Sequence, residues 1–223
     1  MALISEDHKL LFILNPRTAS TATSLAIYKH LNAHWIPSSD IVDENGDILI
    51  QKKHSTVNQL YGAGLITKNQ KENYLKVVVV RNPFDSLYSL YIKKRFAYQN
   101  LRNDKTAFIH KIPNFDKDLD FVKNHTFSEW IIKNYQKPYK LKGKTRVNLK
   151  WAEGCDLIMK FENLEQEFDS FSKRLGLDVK IDIPRKNITE GKKTEYREAY
   201  TNEAREIMEF LLRNELKKLK YKF

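Results

Sequence analysis

The chain of 223 residues carries 39 Lys and Arg against 28 Asp and Glu, a formal net charge of +11, and is 41% hydrophobic and 12% aromatic. That composition supplies one core and excludes a disordered chain, while 7 Gly and 6 Pro exclude a collagenous or linker-rich one. The single cysteine, Cys155, excludes an internal disulfide and a thiolate metal cluster; with no signal-like or membrane-length apolar run, the expectation is a reducing, cytoplasmic location and an anionic partner for the positive surplus.

In chain order, residues 9–14 (KLLFIL) form the continuous apolar run of a strand covered on both faces, ended by Asn15-Pro16. A helix is predicted over 20–31, where the apolar Leu25, Ala26 and Leu31, with Tyr28 nearby, recur at near-helical spacing. Residues 47–51 (DILIQ) read as a second strand after the turn Glu44-Asn45-Gly46, and Ser55 as the cap of a short helix stopping near Gly62. Residues 76–80 (KVVVV) are the clearest buried parallel strand. Asn82 then serves as cap and Pro83 as first residue of a helix to about Phe96 that buries Leu87, Leu90 and Tyr91.

Further on, a strand over 156–161 (DLIMKF) leads into a helix with Leu164, Phe168, Phe171 and Leu175 on one side and Gly176 as its stop. The last helix begins near Thr201 and carries Ala204, Ile207, Met208, Leu211 and Leu219 on one stripe. This alternation predicts a single α/β domain over 1–223, with a mainly parallel central sheet flanked by helices and ligands at the carboxyl ends of its strands. Residues 96–150 interrupt the pattern and are expected to form a variable, acceptor-side insertion. Within them, Lys133, Lys137, Lys140, Lys142, Lys144, Arg146 and Lys150 occur without an acid from 131 to 150, as a solvated face or a docking surface for an acidic acceptor.

Two strand ends carry chemistry. After the first strand the chain reads Asn15-Pro16-Arg17-Thr18-Ala19-Ser20-Thr21-Ala22-Thr23-Ser24, where small residues admit a ligand to the backbone and a helix start supplies N–H groups. Thr18 or Ser20 as a simple helix cap is the plain alternative. Both glycines and the Lys of the nucleoside-triphosphate loop are missing, which counts against ATP or GTP. After 76–80 the chain reads Arg81-Asn82-Pro83-Phe84-Asp85, with Ser89 eight residues beyond Arg81, a second candidate anion site.

These paired motifs resemble those of the sulfotransferases that use 3′-phosphoadenosine 5′-phosphosulfate (PAPS), most of all their carbohydrate branch of heparan and chondroitin type. The family's 5′-phosphosulfate loop, P-K-T-[AG]-S-T, stands here as Pro16-Arg17-Thr18-Ala19-Ser20-Thr21, and its 3′-phosphate motif as Arg81-Asn82-Pro83-Phe84-Asp85 with Ser89. Lys160-Phe161-Glu162-Asn163-Leu164 and the stretch closing on Tyr221-Lys222-Phe223 are similar to later family segments, so the likeness covers most of the chain outside 96–150.

The resemblance implies a P-loop-like sulfotransferase fold and sulfuryl transfer from PAPS to an acceptor hydroxyl or amine, a carbohydrate among the candidates, without a metal. It assigns co-substrate binding to Arg17, Thr18, Ala19, Ser20, Thr21, Ala22, Arg81 and Ser89, with Arg185 and Lys193 in a late basic loop, and catalysis to Arg17 and His54. His54, in Lys53-His54-Ser55 after the predicted second strand, is chosen as base over His8, His30, His34, His110 and His125, with Glu162 in reserve. Arg17 departs from the usual Lys: it keeps the charge but changes its shape. Two other readings stand beside this one, a kinase-like phosphotransferase and a non-enzymatic basic protein that binds nucleic acid or another polyanion; no nucleic-acid module is recognisable.

Overall fold

The computed structural model describes residues 2–46, 48–177, 181, 183–184 and 194–223. In chain order its elements are β1 (Ala2–Ser5), β2 (Leu10–Ile13), α1 (Ser20–His30), β3 (His34–Ile36), β4 (Ile41–Val42), β5 (Ile48–Ile50), α2 (Val57–Gly62), α3 (Lys68–Asn73), β6 (Leu75–Val80) and α4 (Pro83–Arg95). Two 3₁₀ turns precede α5 (Phe115–Asn124), α6 (Phe127–Lys140), α7 (Leu149–Ala152), β7 (Leu157–Lys160), α8 (Leu164–Arg174), α9 (Tyr196–Ala199) and α10 (Asn202–Leu219). The chain divides into two compact units, Met1–Arg81 with Asn148–Asn187, and Asn82–Val147 with Ile188–Phe223.

The first unit is built on a sheet ordered β3-β1-β2-β6-β7. β2 pairs parallel to β6 and β6 to β7, whereas β1 is antiparallel to both β2 and β3. Two reversals restore direction, so β3 runs with β2 and four of the five strands point one way. This is the α/β architecture with a mainly parallel sheet. All four residues of β2 are fully buried, as are Val77, Val78 and Val80 of β6. Burial on both faces is what continuous Leu, Ile and Val runs require of central strands.

Alternation sends Leu10, Phe12, Leu14, Val77, Val79 and Met159 to one face, where Ala26 and Ile27 of α1 and Phe168 and Phe171 of α8 close a single cluster. Phe12 lies 6.0 Å from Phe168 and 6.4 Å from Phe171, ring centre to ring centre. Some expected details differ. Along α1 the buried residues are Ala22, Thr23, Ser24, Ala26 and Ile27, while Leu25 and Tyr28 are 38% and 54% exposed, because small residues let the helix lie close to the sheet. β5 pairs with β4 in a separate antiparallel ribbon instead of joining the main sheet, and the predicted first residue of that strand, Asp47, lies outside the described residues. The cap of α2 is Thr56, not Ser55: Thr56 and Gln59 form a reciprocal capping box, and the Ser55 hydroxyl donates to the Gln51 carbonyl at 2.6 Å.

In the second unit α4 begins as its sequence dictates, with Asn82 Oδ1 accepting from the Phe84 amide at 3.1 Å and Pro83 in the first turn. Its Phe84, Leu87, Tyr88, Tyr91 and Ile92 join Phe127, Trp130 and Ile131 of α6 and Ile207, Met208 and Leu211 of α10 in one core. Lys94 and Asp118 form an ion pair at 2.5 Å whose carboxylate also accepts from the Trp130 indole at 2.9 Å, so the charge is satisfied where it is largely buried. Residues 96–147 belong to this unit and 148–150 to the first. α6 is capped by Thr126 and Glu129, and its Lys133, Lys137 and Lys140 are exposed.

Truncating Phe168 to Ala removes a ring that is 1% exposed and touches both Phe12 and Phe171. Urea unfolding of Phe168→Ala is expected to show a loss of about 3–5 kcal/mol, whereas Tyr28→Ala on the open face of α1 changes stability by less than about 0.5 kcal/mol.

Candidate active site

β2 and β6 are hydrogen-bonded neighbours in parallel register, Phe12 opposite Val77 and Ile13 opposite Val78. Their carboxyl ends therefore open at the same edge of the sheet, and the two motifs follow directly from them. The first turn is held in an unusual conformation. Arg17 and Ala19 have φ of 66° and 55°, a left-handed setting that costs a residue with a side chain on the order of 1 kcal/mol. The result is a tight corner in which Ala19, at the cap position of helix α1, has no capping side chain, and the helix has no acid in its first turn. The first-turn N–H groups of a helix have no intrahelical partner, so here the backbone and the dipole present an anion-attracting end.

The hydroxyls of this segment are mostly turned inward. Thr18, 1% exposed, donates to the Asn15 carbonyl at 2.8 Å, and Ser24 donates to Thr21 at 2.9 Å. Thr23 donates back toward Ala19 and Ser20 at 3.3 Å. These bonds brace the corner. Neither Thr18 nor Ser20 caps the helix, and Arg17, Ser20 and Thr21 are half-buried.

Arg81 lies at the other strand end, 8% exposed. Its Nη1 donates to the carbonyl oxygen of Arg17 at 3.1 Å, and its guanidinium lies 4.4 Å from the centre of the Phe161 ring. The structure thus brings the two arginine-bearing corners into direct contact. Behind them, Asn15 Nδ2 donates to Val79 O at 3.1 Å and to Asn148 Oδ1 at 2.8 Å, and Asn148 Nδ2 donates to Arg81 O at 2.9 Å. Asn148 carried no signal at the sequence level beyond being an amide between Val147 and Leu149 in a lysine-rich stretch.

His54 stands beside the first corner. Its Nδ1 is 2.9 Å from the Leu14 carbonyl, and its ring meets the Trp151 indole edge-on at 5.9 Å. A carbonyl only accepts, so Nδ1 carries the proton in the neutral ring and Nε2 keeps its lone pair. Burial is the main cause that lowers the His54 pKa from 6.5 to about 4, with the charges of Lys53 and Lys150 acting in the same sense and the Leu14 bond opposing them. The imidazole is therefore neutral across the physiological range. Trp151 and α7, which form its wall, were not singled out in the sequence.

The other assigned residues fall elsewhere. Ser89 lies in α4, in the second unit, and is fully buried. Glu162 sits exposed in a 3₁₀ turn after β7. Arg185 and Lys193 lie outside the described residues. Among the described residues no group of three or more His, Cys, Asp or Glu is arranged to hold a metal ion, and no helix is long and apolar enough to cross a membrane. Cys155 has its thiol pushed up to about 12 by burial and by Asp156, which keeps it protonated.

Parallel strand ends that carry an uncapped helix start and two arginines make a site suited to anionic groups. The family model described as the sulfotransferase family matches residues 1–223, the whole chain, and the chain belongs to that family. No curated protein and no solved structure matches it.

The lowered His54 pKa sets a pH dependence. Above pH 6.5 the imidazole is neutral folded and unfolded alike; as the pH falls toward about 4, the unfolded chain takes up a proton that the folded site refuses. Stability from this group is complete above 6.5 and is lost on the way down to about 4, a span of about 3 kcal/mol. Imidazole NMR titration is expected to find the His54 resonance moving near pH 4, and His54→Gln should flatten that part of the stability profile; a His54 resonance titrating near 6.5 would contradict the assignment.

Proposed function

We propose that the protein transfers the sulfuryl group of PAPS to a hydroxyl of a carbohydrate acceptor. The observation that carries this reading is the bond from Arg81 Nη1 to the Arg17 carbonyl at 3.1 Å. It brings together, at one sheet edge, the two corners whose motifs resemble the 5′ and 3′ sites of one nucleotide with an anionic group at each end. Belonging to the sulfotransferase family supports the reaction class. The donor and acceptor follow from the motifs Pro16 to Thr21 and Arg81 to Asp85, which resemble the 5′ and 3′ sites of the carbohydrate branch.

In this reading the amides opening α1 and the Arg17 guanidinium hold the 5′-phosphosulfate, and Arg81 holds the 3′-phosphate. The acceptor oxygen forms its bond to sulfur as the bond from sulfur to the bridging phosphate oxygen breaks. Charge then grows on that oxygen, and in this reading the dipole of α1 and the arginine charge stabilise it. The acceptor proton goes to Nε2 of His54, the nitrogen left unprotonated by the bond to Leu14. A free-state pKa of about 4 makes the ring a weak but always available base; an arriving sulfuryl group counters the lysine charges beside it and raises its basicity. Arg185 and Lys193, outside the described residues, are assigned to the nucleotide by the family resemblance alone.

A thermal-shift titration with 3′-phosphoadenosine 5′-phosphate tests the reading, since ligand at 100 times its dissociation constant adds about 2.7 kcal/mol to the folded state. A folded protein with no shift at millimolar ligand would sink it. His54→Ala is expected to keep the shift and lose about 10²–10⁴-fold in kcat, while Arg17→Ala should weaken both. For the wild type, kcat/KM is expected to stay flat from pH 8 down to about 5 and to fall only near the His54 pKa of about 4.

A further inference from the structure

We propose that Asn148 is a positioning residue that fixes the separation of the corner after β2 from the corner after β6, so that one ligand with two anionic ends meets both at once. The inference rests on the proposed function. Asn148 is fully buried, and its single amide group reaches both strand ends. Oδ1 accepts from Asn15 Nδ2 at 2.8 Å and from the Arg81 backbone N–H at 3.4 Å, and Nδ2 donates to the Arg81 carbonyl at 2.9 Å. Asn15 in turn donates its other hydrogen to Val79 O at 3.1 Å.

These roles are mutually consistent in one orientation only. Rotating the Asn148 amide would set its N–H groups against the N–H groups of Asn15 and Arg81 and leave the Arg81 carbonyl facing an oxygen. Asn is the side chain that brings one acceptor and one donor to this depth at this reach; Asp lacks the donor and Ala lacks both. The amide holds the Arg81 main chain at both its N–H and its C=O, and ties it to Asn15, two residues past the end of β2. Asn148 therefore acts through Asn15 and Arg81. Its effect should be on how well two sites act together, because the advantage of a double-ended ligand depends on how sharply their spacing is set.

The test compares ligands on the full chain by calorimetry: 3′-phosphoadenosine 5′-phosphate, which engages both corners, and 5′-AMP and 3′-AMP, which engage one each. For Asn148→Ala the double-ended ligand is expected to weaken about tenfold or more while each single-ended one changes less than about twofold. Asn15→Ala cuts the same link from the β2 side and carries the same comparison if Asn148→Ala does not fold. Equal weakening of all three ligands, or unchanged binding of the double-ended one by a folded variant, overturns the inference alone. Failure of the wild-type chain to bind the double-ended ligand overturns the proposed function, and this inference falls with it.

Discussion

Everything at the candidate site depends on two buried parallel strands ending together. β2 and β6 are paired residue for residue and shielded on both faces, so their carboxyl ends are fixed by the least deformable part of the first unit. Chemistry is then added with few extra atoms: a left-handed corner, an uncapped helix start, one guanidinium from each end. Because Arg81 bonds to a main-chain oxygen of the opposite corner, the charge that attracts an anion also holds the two corners to each other.

The hydroxyl-rich segment after β2 has a different part from the one its composition implies. Thr18, Thr23 and Ser24 direct their hydrogens to nearby carbonyls, which satisfies polar groups in a corner too tight for regular structure. In the proposed function the anion therefore meets the backbone amides and Arg17. His54 shows a similar division: Leu14 and Trp151 set the tautomer and the orientation, and burial sets the proton affinity.

Much of this was legible in the sequence. The runs KLLFIL and KVVVV announce the paired strands because central parallel strands are apolar on both faces, and Asn82-Pro83 announces the start of α4 because cap and first-turn preferences are local. The short β1 and β3 were not seen: four residues and three residues give too little periodicity, and they join the sheet through pairing with strands distant in sequence. The inward face of α1 is hard to read from sequence because Ala, Thr and Ser are small enough for close packing yet weak as hydrophobic signals. Asn148 and Trp151 were missed for a related reason. Their value lies in contacts to residues 67 to 133 positions away or to a ring in another segment, and no local pattern encodes that.

The left-handed backbone at Arg17 limits what the position can become. A φ of 66° is closed to Val, Ile and Thr, whose branching at Cβ collides with the main chain, but open to unbranched side chains. Exchange between Arg and the Lys usual in the resembling loop therefore leaves the corner's geometry alone, so variation at this site can retune charge placement while the path of the chain stays constant. The corner acts as a filter on mutation that lets chemistry drift before shape does.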